Sequence, residues 1–283
     1  MVKIASGLLI LLLCMGCSKR AYNSSTWQTT KVKIDGDISD WTNPLRFYDQ
    51  KSGINYTISN DRYNLYLCFG IPDEYLQTKI LRSGLEFGID TLGKKSFPVK
   101  IKFPFGNNQV IQPNFNANQQ NNEGSAVRPD RSSFKLKLLA QAREIQLVGF
   151  KQPFGNLITL SDANKTGISA AINFDNRGIM CYEAVIPFST FYKNELTPSD
   201  SNKIFNYQIK INPASKSENG GNRGGGMQGG GMRGGMGGGM RGGMYGGGMR
   251  GNGGGGYGGG NQRNATMSET TKTTIKLKLA YKQ

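Results

Sequence analysis

The chain has 283 residues, 37% of them hydrophobic, so it is long enough for one sizeable core or two small ones. It carries 35 Lys and Arg against 19 Asp and Glu, a formal charge of +16, and contains no histidine. The missing imidazole excludes His-based acid/base catalysis, Ser-His-Asp and Cys-His nucleophiles, and the usual His ligands of zinc, copper and haem.

In chain order, Lys3 begins a short basic region, Gly7 to Leu13 is an uninterrupted apolar run, and Met15-Gly16 leads to Cys17. A membrane span needs about 20 apolar residues, and this run stops sooner, at Ser18-Lys19-Arg20. These residues resemble a bacterial lipoprotein signal, except that Cys14 stands where the lipobox usually has Leu. The resemblance implies a signal peptide at 1–16, cleaved before Cys17, with lipid attached to Cys17. Ser18 in place of Asp implies sorting to the outer membrane, and Lys19-Arg20-Ala21 lacks the acidic surface-export signal, so the periplasmic face is expected. Residues 17–30 read as a polar tether.

The sandwich is expected over 31–283. Strand signals, short and rich in β-branched or aromatic residues, occur at Lys31 to Ile34, Ile54 to Ser59, Asn64 to Ile71, Leu85 to Asp90 and Phe97 to Phe103. Tyr75 to Arg82 is a short helix candidate. Strand signals resume at Phe134 to Leu139, Glu144 to Phe150, Ile168 to Phe174, Ile179 to Ile186, Phe205 to Ile211 and Thr273 to Tyr281. Many short strands with polar turns predict an all-β fold, an antiparallel β-sandwich of jelly-roll or immunoglobulin-like type.

Two low-complexity insertions interrupt the pattern: an Asn/Gln-rich stretch at 107–125 and a Gly/Met/Arg-rich stretch at 219–261. Because Thr273 to Tyr281 is again strand-like, the second is a loop inside the domain and not a tail. Disorder is expected for it. Its Arg-Gly-Gly repeats suit RNA, but export removes that partner, and no nucleic acid is expected. Met227, Met232, Met236, Met240, Met244 and Met249 supply soft thioethers that could gather around Cu(I) or Ag(I); a low-complexity expansion or a sticky, flexible segment is the simpler account and is preferred. Cys68 and Cys181 form either a disulfide or two buried thiols.

Three motifs carry a further resemblance: IDGDISDW at Ile34 to Trp41, YTISNDRYNLYLCFGIPD at Tyr56 to Asp73, and YEAVIPF at Tyr182 to Phe188. Together they resemble family 9 carbohydrate-binding modules and their exported bacterial relatives. Read residue by residue, Asp35-Gly36-Asp37 is a turn, and Trp41 is expected over the open end of the sandwich. Leu65, Leu67, Phe69 and Ile71 share an inward face, as do Tyr182, Ala184 and Ile186, with Glu183 on the opposite side. Glu183 is then a ligand or catalytic carboxylate, or an exposed or paired charge; Asp90 is the other carboxylate an enzyme could use.

The resemblance implies non-catalytic glycan binding, but the family's tryptophan clamp maps onto no position here. Trp27 falls in the tether and Trp41 in the fold motif, leaving Tyr48, Tyr63, Tyr75 and Phe154 as loop-proximal stacking candidates. Asp35, Asp37 and Asp40 are candidate calcium ligands, or simply turn residues. The expected protein is thus a lipid-anchored envelope module for a glycan or cell-wall polymer. A soft-metal or assembly role of the Met-rich loop is the alternative.

Overall fold

A computed structural model describes residues 22–105, 131–151, 155–214 and 268–282. The signal, Cys17, Phe154, the six methionines and the whole of both low-complexity insertions lie outside these residues. Among the described residues, twelve strands form two six-stranded sheets, and the antiparallel β-sandwich is the observed fold.

The strands in chain order are β1 (Thr26–Trp27), β2 (Phe47–Asp49), β3 (Ile54–Asn60), β4 (Asn64–Ile71), β5 (Leu85–Asp90), β6 (Val99–Phe103), β7 (Glu144–Val148), β8 (Leu157–Thr159), β9 (Ser169–Phe174), β10 (Met180–Pro187), β11 (Ile204–Ile211) and β12 (Thr271–Lys278). Helix α1 (Glu74–Ser83) joins β4 to β5, α2 (Arg131–Ala140) precedes β7, and α3 (Leu160–Lys165) follows β8. The first sheet runs β1-β3-β4-β10-β9, with β2 also on β3; the second runs β12-β11-β5-β6-β7-β8. Every ladder is antiparallel except β1 on β3.

Strand alternation drives the core, because successive side chains point to opposite faces. Leu65, Leu67, Phe69 and Ile71 point inward as expected, as do Tyr182, Ala184 and Ile186, all fully buried. Phe87, Ile89, Ile101, Phe205, Tyr207 and Ile209 answer them from the second sheet. A file of rings crosses the gap: Tyr182 to Phe69 at 5.5 Å, Phe69 to Phe87 at 6.1 Å, and Phe87 to Tyr207 at 5.4 Å.

Three expectations are corrected. Lys31 to Ile34 is not a strand: the Lys33 N–H is taken by the Asp40 carboxylate at 3.0 Å, not by a neighbouring strand. Phe134 to Leu139 is not a strand either but part of α2. Alternation would put Phe134, Leu136 and Leu138 on one face, yet Leu136 is 58% exposed and Leu138 is buried, which is helical spacing. Lys135 from this helix reaches Gln77 Oε1 of α1 at 3.0 Å. The tether does not extend to residue 30, since Ser25 N–H bonds Lys278 O at 2.8 Å and Thr26-Trp27 pairs with Ser59-Asn60. Asn60 holds this corner, its Oδ1 accepting from Ser25 Oγ and Ala280 N–H and its Nδ2 donating to Ala280 O. Of the two readings left open for the cysteines, Cys68 and Cys181 are two buried free thiols. Cys68 pairs in register with Glu183 and Cys181 with Gly70, so the thiols are diagonal, a separation at the limit of what a disulfide spans.

The sandwich has two poles. At one lie Asn23 to Gln28, the β3–β4 turn, the 188–203 connection and the end of β12. At the other lie α1, Phe103, Ile211 and Thr271, so Phe105, Ala214 and Ser268, which bound the low-complexity insertions, emerge opposite the N-terminal segment.

Candidate functional site

The residues of the family resemblance assemble on the outer face of the first sheet. Glu183 shares a register row with Cys68 and Thr57, pointing away from the core. Residues 31–45 cross that face as a strap, and Val32, Trp41 and Cys68 form a second small core with Ile34, Ile38, Leu45 and Tyr66 packed against it. Trp41 therefore covers the outside of a sheet and not the open end of the sandwich.

Glu183 is the keystone of the strap. It has no exposed surface, and its carboxylate accepts from Gly36 N–H at 2.7 Å, Asp35 N–H at 3.1 Å and the Trp41 indole N–H. Burial raises its pKa and these three donors oppose that, leaving it above the ordinary glutamate value. Both expected roles are thereby revised: Glu183 is neither exposed nor paired with a cation among the described residues, and every donor it meets belongs to the fold. The Asp-Gly turn fits for the same reason. Gly36 has φ +84°, and a Cβ there would stand 2.5 Å from Asn173 Cβ.

The calcium candidates perform turn and cap duties. Asp35 Oδ1 accepts from Asp37 N–H at 3.0 Å and its carboxylate meets Lys33 at 2.8 Å, while Asp37 caps Ser39 N–H at 2.9 Å and Asp40 takes Lys33 N–H. No group of three or more His, Cys, Asp or Glu poised to hold a metal occurs among the described residues. Asp90 is likewise committed. Burial would raise its pKa, but donors from Asn206, Leu92 and Lys95 outweigh that and lower it, fixing the 91–98 turn.

Among the described residues, the second sheet's outer face is the one that no strap crosses. Cross-strand register aligns Lys272 on β12, Lys210 on β11, Glu86 on β5, Lys102 on β6 and Gln146 on β7 in one row. The adjacent row holds Thr274, Gln208, Gly88 and Lys100, and the next Lys276 and Asn206. Gln208 and Asn206 are 7% and 3% exposed, a recessed amide floor, while Lys272 and Lys276 are exposed. Phe97 lies over Gly88, where a Cβ would come within 3.0 Å of it. Lys100 lies 3.7 Å from Glu86, and Lys102 Nζ stands 4.9 Å over the Phe105 ring. Burial lowers the pKa of Lys102, and Lys210 adds to that while Glu86 opposes it.

Lysines on an edge strand commonly serve to block edge pairing, which explains Lys272 and Lys276 on β12. It does not explain Lys100, Lys102 and Lys210, which sit on strands hydrogen-bonded on both sides. Read along the sequence, these lysines are scattered; only the register gathers them. Of the aromatic candidates, Tyr48 and Tyr63 are 60% and 53% exposed, and Tyr75 is half-buried on α1. Trp27, assigned to the tether from sequence, instead meets Tyr281 edge-on at 5.7 Å.

No family model and no curated protein matches the chain. Among solved structures it is similar to a carbohydrate binding module family 9 from Caldicellulosiruptor kristjanssonii in complex with glucose. That likeness has 12% identity, covers 69% of this chain and 79% of that one, and gives a TM-score of 0.35. A module of the same family and organism in complex with cellotriose gives 12%, 68%, 77% and 0.33. Likeness at this level assigns no residue and no ligand.

Proposed function

We propose that this chain is a non-catalytic binding module of the cell envelope, anchored by lipid at Cys17 to the periplasmic face of the outer membrane. Its ligand is an acidic glycan or cell-wall polymer held on the outer face of the second sheet. The supporting observation is the row Lys272, Lys210, Glu86, Lys102 with Lys100 beside it, a net positive surface of which Lys210, Lys102 and Lys100 lie on interior strands, floored by Asn206 and Gln208. Lysines two strands apart stand about 10 Å from each other, a spacing that a chain of repeated carboxylates can follow. Glu86 keeps the surface from being uniformly cationic and leaves an acceptor for hydroxyls. A non-catalytic role accords with the hydrogen-bonded state of Glu183 and Asp90, whose carboxylates are occupied within the fold.

The test is affinity electrophoresis or calorimetry with a uronate polymer and a neutral glucan. The wild-type chain is expected to bind the uronate polymer in a salt-sensitive manner. Partly exposed lysine contacts to a polyanion are worth about 0.5–1 kcal/mol each, so Lys102→Gln with Lys210→Gln is expected to weaken binding roughly tenfold. Equal binding by the double variant, or none by the wild type, would sink this reading.

A further inference from the structure

The N-terminal pole carries a surface that the lysine face does not include. Trp27 and Tyr281 pack edge-on with ring centroids 5.7 Å apart, and the Arg62 guanidinium donates to the Tyr281 hydroxyl at 3.4 Å. The Tyr63 hydroxyl also engages Arg62, and Glu195 is the acidic side chain that faces it. Arg62 is exposed, Tyr63 is 53% exposed, and Trp27 and Tyr281 are half-buried. Three amphipathic rings stand around a guanidinium at the tip of a hairpin, where residues 23–28 meet the end of β12; Tyr281 packs one side against the core, while Trp27 and Tyr63 keep surface toward solvent.

Chain length says what this pole faces. Only five peptide steps separate Cys17 from Tyr22, the first described residue, which is at most about 17 Å of extended chain. If Cys17 carries a lipid, this pole cannot leave the neighbourhood of the bilayer surface. Lys19 and Arg20 lie in that short connection, and Lys282 follows Tyr281, so the approach is basic on a surface where phospholipid headgroups supply anionic charge. Tryptophan and tyrosine favour the headgroup level, where the ring is half desolvated and the polar edge stays wet.

We propose that the N-terminal pole is a bilayer-docking surface, with Trp27, Tyr63 and Tyr281 at headgroup level and Arg62 on lipid phosphate. The inference rests on the anchored reading of Cys17 for its orientation. Docking sets the strands upright on the membrane, keeps the lysine face of the second sheet accessible from the side, and directs Ala214 and Ser268, the borders of the Gly/Met-rich segment, away from the bilayer.

The chain holds two tryptophans, and Trp41 is buried, so Trp27 is a built-in reporter. The chain from Ser18 to Gln283, which keeps every described residue and no lipid, is mixed with vesicles of phosphatidylglycerol and phosphatidylcholine or of phosphatidylcholine alone. Expected are a blue shift of emission and co-sedimentation with the anionic vesicles, unaffected by Lys102→Gln with Lys210→Gln. Arg62→Glu, at an exposed position that need not disturb folding, is expected to weaken vesicle binding at least tenfold, and Trp27→Ala to abolish the spectral change. The proposal is overturned if the wild type ignores the vesicles, if only the lysine-face variant loses binding, or if Trp27 responds to soluble glycans instead. Detergent-phase partitioning of Cys17→Ala examines the anchor separately, so a failed anchor and a failed docking surface give different results.

Discussion

The two outer faces of the sandwich are built from the same kind of strand and end in opposite conditions. On the first sheet, residues 31–45 cover the face, and a buried Glu183 receives three N–H donors from the strap. On the second, among the described residues only the 91–98 turn folds back, anchored by Asp90, and no other described segment crosses the lysine rows. The motifs with the most distinctive sequence thus maintain the fold, whereas the chemically unclaimed surface is made of residues that look unremarkable in the chain. A buried polar group must be matched by specific partners, which leaves a sequence signature; an exposed lysine need only lie on the correct parity of a strand.

The sharpest way to break this contrast is Glu183→Ala. It leaves two backbone N–H groups and an indole N–H without their acceptor, and a loss of about 3–5 kcal/mol is expected in urea unfolding. A loss below about 1 kcal/mol would mean that the strap is not held by this carboxylate. Gly36→Ala comes next, at about 2–3 kcal/mol, because the new Cβ both needs φ +84° and meets Asn173 at 2.5 Å. Retention of wild-type thermal stability would show that the strap can shift at little cost.

Much of the fold was legible because its period-2 patterns are strong. The strands from Ile54 to Ile71, and those at Leu85, Met180 and Ile204, lie within a residue of where the hydrophobic alternation puts them, and the one at Thr271 within three. The errors have physical causes. Phe134 to Leu139 satisfies both periods, and only packing on α1 selects the helix. Trp27 lies in a polar stretch with no periodicity, and its strand exists because Asn60 and Lys278, distant in sequence, receive it. The lysine rows needed the register of β12, β11, β5 and β6, which no local pattern encodes. Even there a signal existed: alternate lysines in VKIKF and TIKLK mark one side of each strand as polar.

The same contrast should appear in the pH dependence of stability, with smaller amplitude. Glu183 has a folded pKa above its unfolded value, so its burial penalty is relieved as pH falls and is fully present above the folded pKa. Asp90 has a lowered folded pKa, so its contribution is present above the unfolded value and is lost as pH falls through the folded one. Glu183→Gln is therefore expected to steepen the net loss of stability on acidification, and Asp90→Asn to flatten it. Unfolding midpoints measured between pH 3 and 7 give the two slopes; parallel curves would remove the electrostatic distinction between the faces.

Neutralising the open face should have the smallest effect on stability and the largest on ligand. Lys102 is half-buried, its pKa is lowered by burial, and Lys210 lies close enough to repel it. Replacing both with glutamine removes that repulsion together with the Lys102 Nζ contact over Phe105, while keeping the first methylenes of each stem on the sheet. The unfolding free energy is expected to change by less than about 0.5 kcal/mol, with either sign allowed. That outcome together with weakened polyanion binding would mark these lysines as retained for a partner. A loss of about 2 kcal/mol would instead make them structural, and the two faces would differ only in which charge each one buries.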